Sequence, residues 1–235
     1  GSIAAVAHGC GIKGDRVLEA TIALSEETAA LGGARGRLMP GLKAQLNDLL
    51  QEENWQFLQQ RPGRVAISYR EIFPNYRTYH YTQNDFDSID ALRTAVCYSS
   101  MFPFFTTNWP VAVDKSGKTP RFFVDGFFAE PLSRFGCPDF AKAGLQVDRT
   151  VMISPMPQAS IPLDACTERD CISPLVNDED GYAQMQQVGD LLRRATQPSS
   201  REELTALYES GFQDAEHWCQ EHASEDFRAG TWRKP

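Results

Sequence analysis

Apolar residues recur every three to four positions in five stretches of the chain. This period matches one face of an α-helix and predicts amphipathic helices. Asp87 is suited to cap one of them, which ends before Pro103, and Ser199 with Glu202 forms a capping-box pattern at the start of the last. The predicted helices cover about 15–31, 41–60, 87–102, 181–195 and the residues from 199 onward.

Shorter apolar runs predict the strands. Residues 64–69 and 76–81 flank the turn signal Pro-Asn and predict a hairpin or meander. Residues 121–124 and 149–154 are almost continuously apolar, which is typical of strands buried on both faces. Because such strands alternate with amphipathic helices, we expect an α/β fold: a three-layer α/β/α arrangement with a mostly parallel central sheet, followed by C-terminal helices.

Charge and composition exclude several classes of function. The chain has 235 residues, with 23 Lys and Arg against 31 Asp and Glu, for a net charge of −8. We therefore expect no nucleic-acid partner. Six cysteines include no Cys-x-x-Cys pair, and the Cys166-x4-Cys171 spacing lacks a second pair of ligands, so we predict neither a metal nor a cofactor.

Candidate chemistry centres on Asp125 and Gly126, which directly follow the apolar run at 121–124. A carboxylate at the carboxyl end of a buried parallel strand lies where open α/β sheets build their sites. We expect Gly126 to adopt a positive φ and so keep the carboxylate accessible. The alternative is a strand-ending turn in which the aspartate is purely structural.

An aromatic loop precedes this strand. It contains large rings within eight positions, which predict an acyl pocket, contact with a lipid surface, or simple core packing. The candidate residues are Phe102, Phe104, Phe105 and Trp109, and Phe127 after the strand is a further candidate for the same acyl pocket.

Three segments, in this order, resemble the later part of a patatin-like phospholipase domain, in the branch of adipose triglyceride lipase and adiponutrin. Residues 1–5 (Gly-Ser-Ile-Ala-Ala) are similar to the end of the Gly-x-Ser-x-Gly nucleophile elbow and the helix after it. Residues 63–68 resemble the strand that follows the variable helical region. Residues 95–103, together with 121–126, resemble the helix, the Ser/Phe/Pro loop and the Asp-Gly signature.

The resemblance implies a lipid acyl ester hydrolase with a Ser/Asp dyad, in which Asp125 accepts the proton of the serine. Gly1 would be the last glycine of the elbow, with the serine two positions ahead of it. We accordingly expect an acyl hydrolase domain over 1–197 without its first strand, oxyanion loop and nucleophile, and a helical extension over 198–235 packed on it. This chain alone would be inactive. The implied partner is a lipid ester, with peripheral contact to a membrane or lipid droplet and a cytoplasmic or lipid-surface location.

Two alternatives remain open. Phe127 stands where the family has a small residue, and the stretch after it is altered to Phe-Ala-Glu-Pro, so the chain is alternatively a catalytically inactive lipid-binding or regulatory homologue. The chain order of an α/β-hydrolase triad would be met by Asp125 followed by His217 or His222. His222 falls on the apolar arc of the last predicted helix and His217 on the opposite side, which disfavours the triad.

Overall fold

The computed structural model describes residues 1–60, 65–82, 85–131, 134, 136–142, 144–156, 168–174, 189–190, 193–194 and 197–223. The chain forms two compact units. The first comprises Gly1–Val147 with Thr196–Ser200, and the second comprises Asp148–Ala195 with Arg201–Pro235.

Five α-helices belong to the described part of the first unit: α1 (Ser2–Gly9), α2 (Gly14–Ala30), α3 (Leu38–Leu49), α4 (Glu52–Gln59) and α5 (Ile89–Ser99). The predicted single helix over 41–60 is wrong, because the chain is interrupted at Leu50. That residue is buried in an extended conformation, and a capping box between Gln51 and Asn54 starts α4. The cap of α5 is Ser88 rather than Asp87, since the Ser88 hydroxyl accepts the Ala91 N–H.

The sheet of the first unit is antiparallel, so the predicted mostly parallel sheet and three-layer α/β/α arrangement are wrong. Its strands are β1 (Ala66–Phe73), β2 (Arg77–Thr82), β3 (Ala112–Asp114) and β4 (Arg121–Val124), in the spatial order β2-β1-β4-β3. Every neighbouring pair runs antiparallel. Strand β4 is apolar because it is flanked on both sides by other strands, and such a run is equally compatible with a parallel or an antiparallel sheet.

The core lies between this sheet and the helices. Leu92 and Val96 of α5 pack with Ile67 of β1 and Phe123 of β4. Helices α1, α3 and α4 add further fully buried side chains, and this common core holds the start of α1, the end of α5 and the end of β4 in one framework. Those additional side chains include Val6, Leu46 and Leu58.

A buried carboxylate ties three strands together. The Glu71 side chain of β1 is 0% exposed and accepts hydrogen bonds from the Tyr79 hydroxyl at 2.6 Å and from Nη2 of Arg121 at 2.9 Å. Asn75 donates a further bond through Nδ2 at 3.0 Å. Burial by itself favours the neutral acid, but these donors and the Arg121 charge together hold the pKa of Glu71 below its ordinary value. The ion pair fixes the position of β4, whose last residue directly precedes Asp125.

The second unit contains a short parallel pair, β5 (Met152–Ile153) and β6 (Cys171–Ile172), and the helix α6 (Arg201–Trp218), which is followed by a π-helical turn at Cys219–Ala223. The predicted strand at 149–154 thus has two paired residues. Apart from 189–190 and 193–194, the predicted helix over 181–195 lies outside the described residues. No helix in the described ranges has the length and apolarity needed to cross a bilayer.

Candidate active site

Asp125 is held by the backbone on both sides of the turn that it starts. Its N–H donates to the carbonyl of Met101 at 3.0 Å, which connects the end of β4 to the segment after α5. Asp125 also caps a short 3-10 helix, Gly126–Ala129, because its Oδ1 accepts the Phe127 N–H at 2.8 Å. In the part of the chain that the structure describes, Oδ2 accepts no hydrogen bond and is the oxygen available to take up a proton.

Position 126 requires glycine because there is no room for a Cβ atom. The expected positive φ of Gly126 is wrong. Its φ lies outside the left-handed region. A Cβ at this position would collide with the carbonyl oxygen of Ser68 and would lie 2.9 Å from the Ser99 hydroxyl oxygen. The turn after Asp125 therefore lies directly against β1 and the end of α5, where only glycine fits.

The environment of Asp125 makes its carboxylate a stronger base than an ordinary aspartate. The side chain is half-buried, and loss of solvation raises its pKa from 3.8 to about 6. The hydrogen bond from Phe127 and the positive charge of the amino group at Gly1 act in the opposite direction and limit the rise. At pH 7 the group is still mostly ionised and can accept a proton.

Gly1 and Asp125 are distant in sequence but lie within electrostatic reach of each other. Burial lowers the pKa of the Gly1 amino group, and the negative charge of Asp125 partly offsets this effect. Gly1 is also the N-cap of α1, so the first turn of that helix begins within electrostatic reach of the carboxylate. The N–H groups and the positive dipole end of a helix stabilise negative charge.

Three phenylalanines form a cluster next to this turn. The ring centroids of Phe102 and Phe128 are 5.5 Å apart, those of Phe127 and Phe128 are 5.4 Å apart, and Phe102 lies 6.4 Å from Phe127. Nη1 of Arg70 donates to the carbonyl of Phe128 at 3.1 Å and anchors the 3-10 helix to β1. The cluster gives the carboxylate an apolar border on the side of the aromatic loop.

Most rings of the aromatic loop are largely exposed, which argues against simple core packing for them. Trp109 is 73% exposed, Phe104 is 55% exposed and Phe102 is 44% exposed, whereas Phe105 is half-buried. Only Trp109 among the candidate pocket residues lines the groove of about 740 Å³ that opens between α3, α5 and β3. Phe102 joins the loop to the cluster at Phe127, and Met101 joins the groove to the site, because it lines the groove and its carbonyl accepts the N–H of Asp125.

Sequence reasoning missed three contributors to the site. Arg70 and Ser99 support the turn at Gly126, and Glu71 fixes β4, yet no local motif marks any of them. The one available signal was a pair of charged residues, Arg70-Glu71, inside an otherwise apolar strand, because a buried charge requires a partner.

The two histidines of the alternative triad and the candidate metal ligands complete the set of predicted site residues. His217 and His222 belong to the helical segment of the second unit, where each lies near Glu221. The side chain of His222 is 28% exposed and its ring lies 5.7 Å from that of Trp218. Within the described ranges, no group of three or more His, Cys, Asp and Glu side chains is arranged to hold a metal ion. Cys166 of the Cys166–Cys171 pair lies outside those ranges.

Comparison of the chain with models of known protein families, with curated proteins and with solved structures finds no match.

Proposed function

We propose that this chain carries the proton-accepting half of a lipid acyl ester hydrolase that uses a Ser/Asp dyad. Asp125 is the base, and the nucleophilic serine stands two positions ahead of Gly1, as in the patatin-like pattern. The substrate is an acyl ester of the triacylglycerol or phospholipid type. The observation that carries the proposal is the half-buried Asp125 carboxylate, which follows the end of β4, has Oδ1 held by the Phe127 N–H and lies within electrostatic reach of Gly1 at the start of α1.

The geometry is consistent with the chemistry of such a dyad. A serine hydroxyl is a weak nucleophile until a neighbouring base removes its proton. Oδ2 of Asp125 takes that proton while the serine oxygen attacks the ester carbonyl carbon, and the carbonyl π electrons move to oxygen. When the tetrahedral intermediate collapses, the protonated Asp125 gives its proton to the departing alcohol, leaving an acyl-enzyme. Water then repeats the sequence with Asp125 as base and releases the fatty acid and the free serine.

The pKa of Asp125 supports this assignment. A base is most effective when its pKa approaches the working pH, and an ordinary aspartate is too weak a base by several units. A pKa of about 6 makes Asp125 roughly a hundredfold more basic than a solvated aspartate. The Phe127 N–H holds Oδ1, so that the carboxylate keeps one orientation throughout the reaction.

The test uses protein whose sequence extends ahead of Gly1 to include the Gly-x-Ser-x segment. Hydrolysis of a short-chain nitrophenyl ester and of triacylglycerol should proceed, with kcat/KM rising tenfold per pH unit below the pKa of Asp125 and level above it. In the extended protein the Gly1 amino group becomes a neutral amide, so the positive charge that limits the rise of this pKa is absent. A serine in the segment should be labelled by a fluorophosphonate. Rates that do not depend on pH between 5 and 7 would contradict the role of Asp125.

A second candidate is a lipid-binding or regulatory homologue without catalysis, and Phe127 favours it. Its ring extends the apolar cluster at the turn that Asp125 starts, where the family has a small residue. Lipid binding without hydrolysis and without fluorophosphonate labelling would support this candidate. Replacement of Phe127 by glycine or alanine would then restore labelling if the ring alone blocks the site.

A further inference from the structure

We infer that the exposed aromatic loop, Met101–Val111, docks the protein on the surface of a bilayer that contains anionic phospholipid. The inference concerns how the site at Asp125 meets its substrate, and it rests on the proposed function for the nature of that substrate. It requires no catalysis, so it can be tested by itself.

The loop holds its rings outward by internal hydrogen bonds. The buried Thr106 hydroxyl donates to the carbonyl of Ser100 at 2.8 Å and accepts the Phe102 N–H at 3.0 Å. The Thr107 hydroxyl donates to the carbonyl of Trp109 at 3.0 Å and accepts the N–H of the same residue at 3.1 Å. The exposed rings are therefore carried on a braced turn, and binding through them would require little further ordering of the backbone.

Phe104 occupies an unusual conformation within this turn. Its φ is +60°, in the left-handed region that bulky residues seldom adopt. Its carbonyl accepts a hydrogen bond from Nε of Arg35, and the ring remains 55% exposed. A strained backbone that leaves an apolar ring in solvent gives no gain in core packing, and such strain is typical of functional positions.

The charges around the loop match an anionic surface. Residues 101–111 contain no charged side chain, in a chain whose net charge is −8. Arg35 approaches the loop from one side and Arg37 is two positions further along the same exposed segment. Lys43 and Lys115 line the groove that Trp109 borders, and the one acidic residue of that lining, Asp90, is paired with Arg93 at 2.7 Å. Exposed aromatic rings flanked by cations are the combination that binds at the interface of an anionic bilayer.

The surface is continuous with the candidate active site. Phe102 belongs to the exposed loop and also contacts Phe127 and Phe128 beside Asp125. Insertion of Phe104 and Trp109 at the level of the headgroups would therefore bring the ester bonds of the lipid towards the carboxylate. This arrangement explains the exposure of rings that would otherwise be an aggregation liability.

The test is co-sedimentation of the full chain with vesicles of phosphatidylcholine, with or without phosphatidylglycerol. We expect binding to the anionic vesicles that weakens with added salt. Trp109→Ser and Phe104→Ser should each weaken binding about tenfold. Arg35→Gln with Arg37→Gln should weaken it by about fivefold per arginine on the anionic vesicles only.

Two variants distinguish specific docking through the loop from unfolding and from nonspecific hydrophobic adsorption to the vesicles. Tyr76→Ser removes a ring that is 69% exposed at the β1–β2 turn and should bind as the unaltered chain does. Trp109→Phe should keep binding but lose most of the fluorescence quenching caused by lipids brominated on the acyl chain. Thermal unfolding of each variant verifies that the fold persists.

The outcomes also distinguish this inference from the proposed function. Asp125→Asn should bind vesicles normally, because the carboxylate is not part of the docking surface. Vesicle binding without any ester hydrolysis in the extended protein would refute the proposed function and leave the docking surface standing. Absence of vesicle binding by the unaltered chain, or normal binding by both serine variants of the loop, would refute the docking surface.

Discussion

Burial of the charged Asp125 carboxylate should lower the free energy of unfolding by an amount that can be measured. Its pKa rises from 3.8 to about 6, roughly two units, and each unit corresponds to about 1.4 kcal/mol. Asp125→Asn removes the charge but keeps an oxygen that can accept the Phe127 N–H. We therefore expect the variant to be more stable than the unaltered chain by about 3 kcal/mol at pH 8.

The sign of this effect depends on pH. Because the folded-state pKa lies above the unfolded-state value, the folded chain binds more protons between about pH 4 and 6. The contribution of Asp125 to the free energy of unfolding therefore falls as pH rises through this window, and the full penalty remains above it. The excess in free energy of unfolding of Asp125→Asn over the unaltered chain should be near zero at pH 4 and reach its maximum near pH 7.

Urea unfolding at pH 4, 6 and 8, followed by circular dichroism, measures the difference. Asp114→Asn is the matched control, because the hydrogen bonds of Ser116 with Asp114 hold the pKa of that carboxyl below its ordinary value. The control should be less stable than the unaltered chain at pH 8, so its change in free energy of unfolding is opposite in sign to that of Asp125→Asn. No gain in the free energy of unfolding of Asp125→Asn at pH 8, or an equal gain at pH 4, would show that burial does not raise the pKa of Asp125.

Two further substitutions test the support of the site. Gly126→Ala should destabilise the chain by about 2 kcal/mol or more, because its Cβ would collide with the backbone carbonyl of Ser68. Urea unfolding against Gly117→Ala isolates the steric cost, since Gly117 is exposed, lies outside the left-handed region and would place its Cβ at an ordinary 3.7 Å from the Thr119 carbonyl oxygen. Glu71→Gln should cost about 2–3 kcal/mol, since it removes the buried carboxylate that Arg121 bonds at 2.9 Å and leaves the guanidinium with the more distant Asp114 at 4.0 Å. The same unfolding experiment checks this loss, which should diminish as pH falls below the pKa of an ordinary glutamate. A neutral Gly126→Ala or Glu71→Gln would show that the end of β4 is not fixed as described.

Local signals predicted a substantial part of the fold. The helical period of residues 15–31 corresponds to α2 at Gly14–Ala30, and the apolar run at 121–124 has the same bounds as β4. The hairpin predicted around Pro-Asn is the antiparallel pair of β1 and β2. These elements depend on residues close to each other in sequence, which periodicity and turn chemistry describe well.

The direction of the sheet could not be predicted in the same way. The antiparallel neighbours of β4 are β3, a strand of three residues without a distinctive pattern, and β1, some fifty positions away. An apolar run records burial but carries no information on the direction of the neighbouring strand. The helix break at Leu50 is a similar case, because burial of an extended leucine overrides a continuous helical period.

The candidate site likewise has features that the local sequence indicates and features that depend on tertiary structure. The position of Asp125 after an apolar strand is a local feature, and the sequence indicates it directly. Its raised pKa and the approach of Gly1 depend on how α1, α5 and β4 meet, which no local pattern contains. Exposure of Phe104 and Trp109 likewise follows from the hydrogen bonds of the loop rather than from its composition.

The most direct test of the central claim is kcat/KM for ester hydrolysis by protein that includes the Gly-x-Ser-x segment, compared with its Asp125→Asn variant at pH 8. We expect kcat/KM to fall about 10³-fold in Asp125→Asn, because the serine loses its base. The Asp114→Asn control should keep the rate of the unaltered protein. Undiminished turnover in Asp125→Asn would contradict the Ser/Asp dyad.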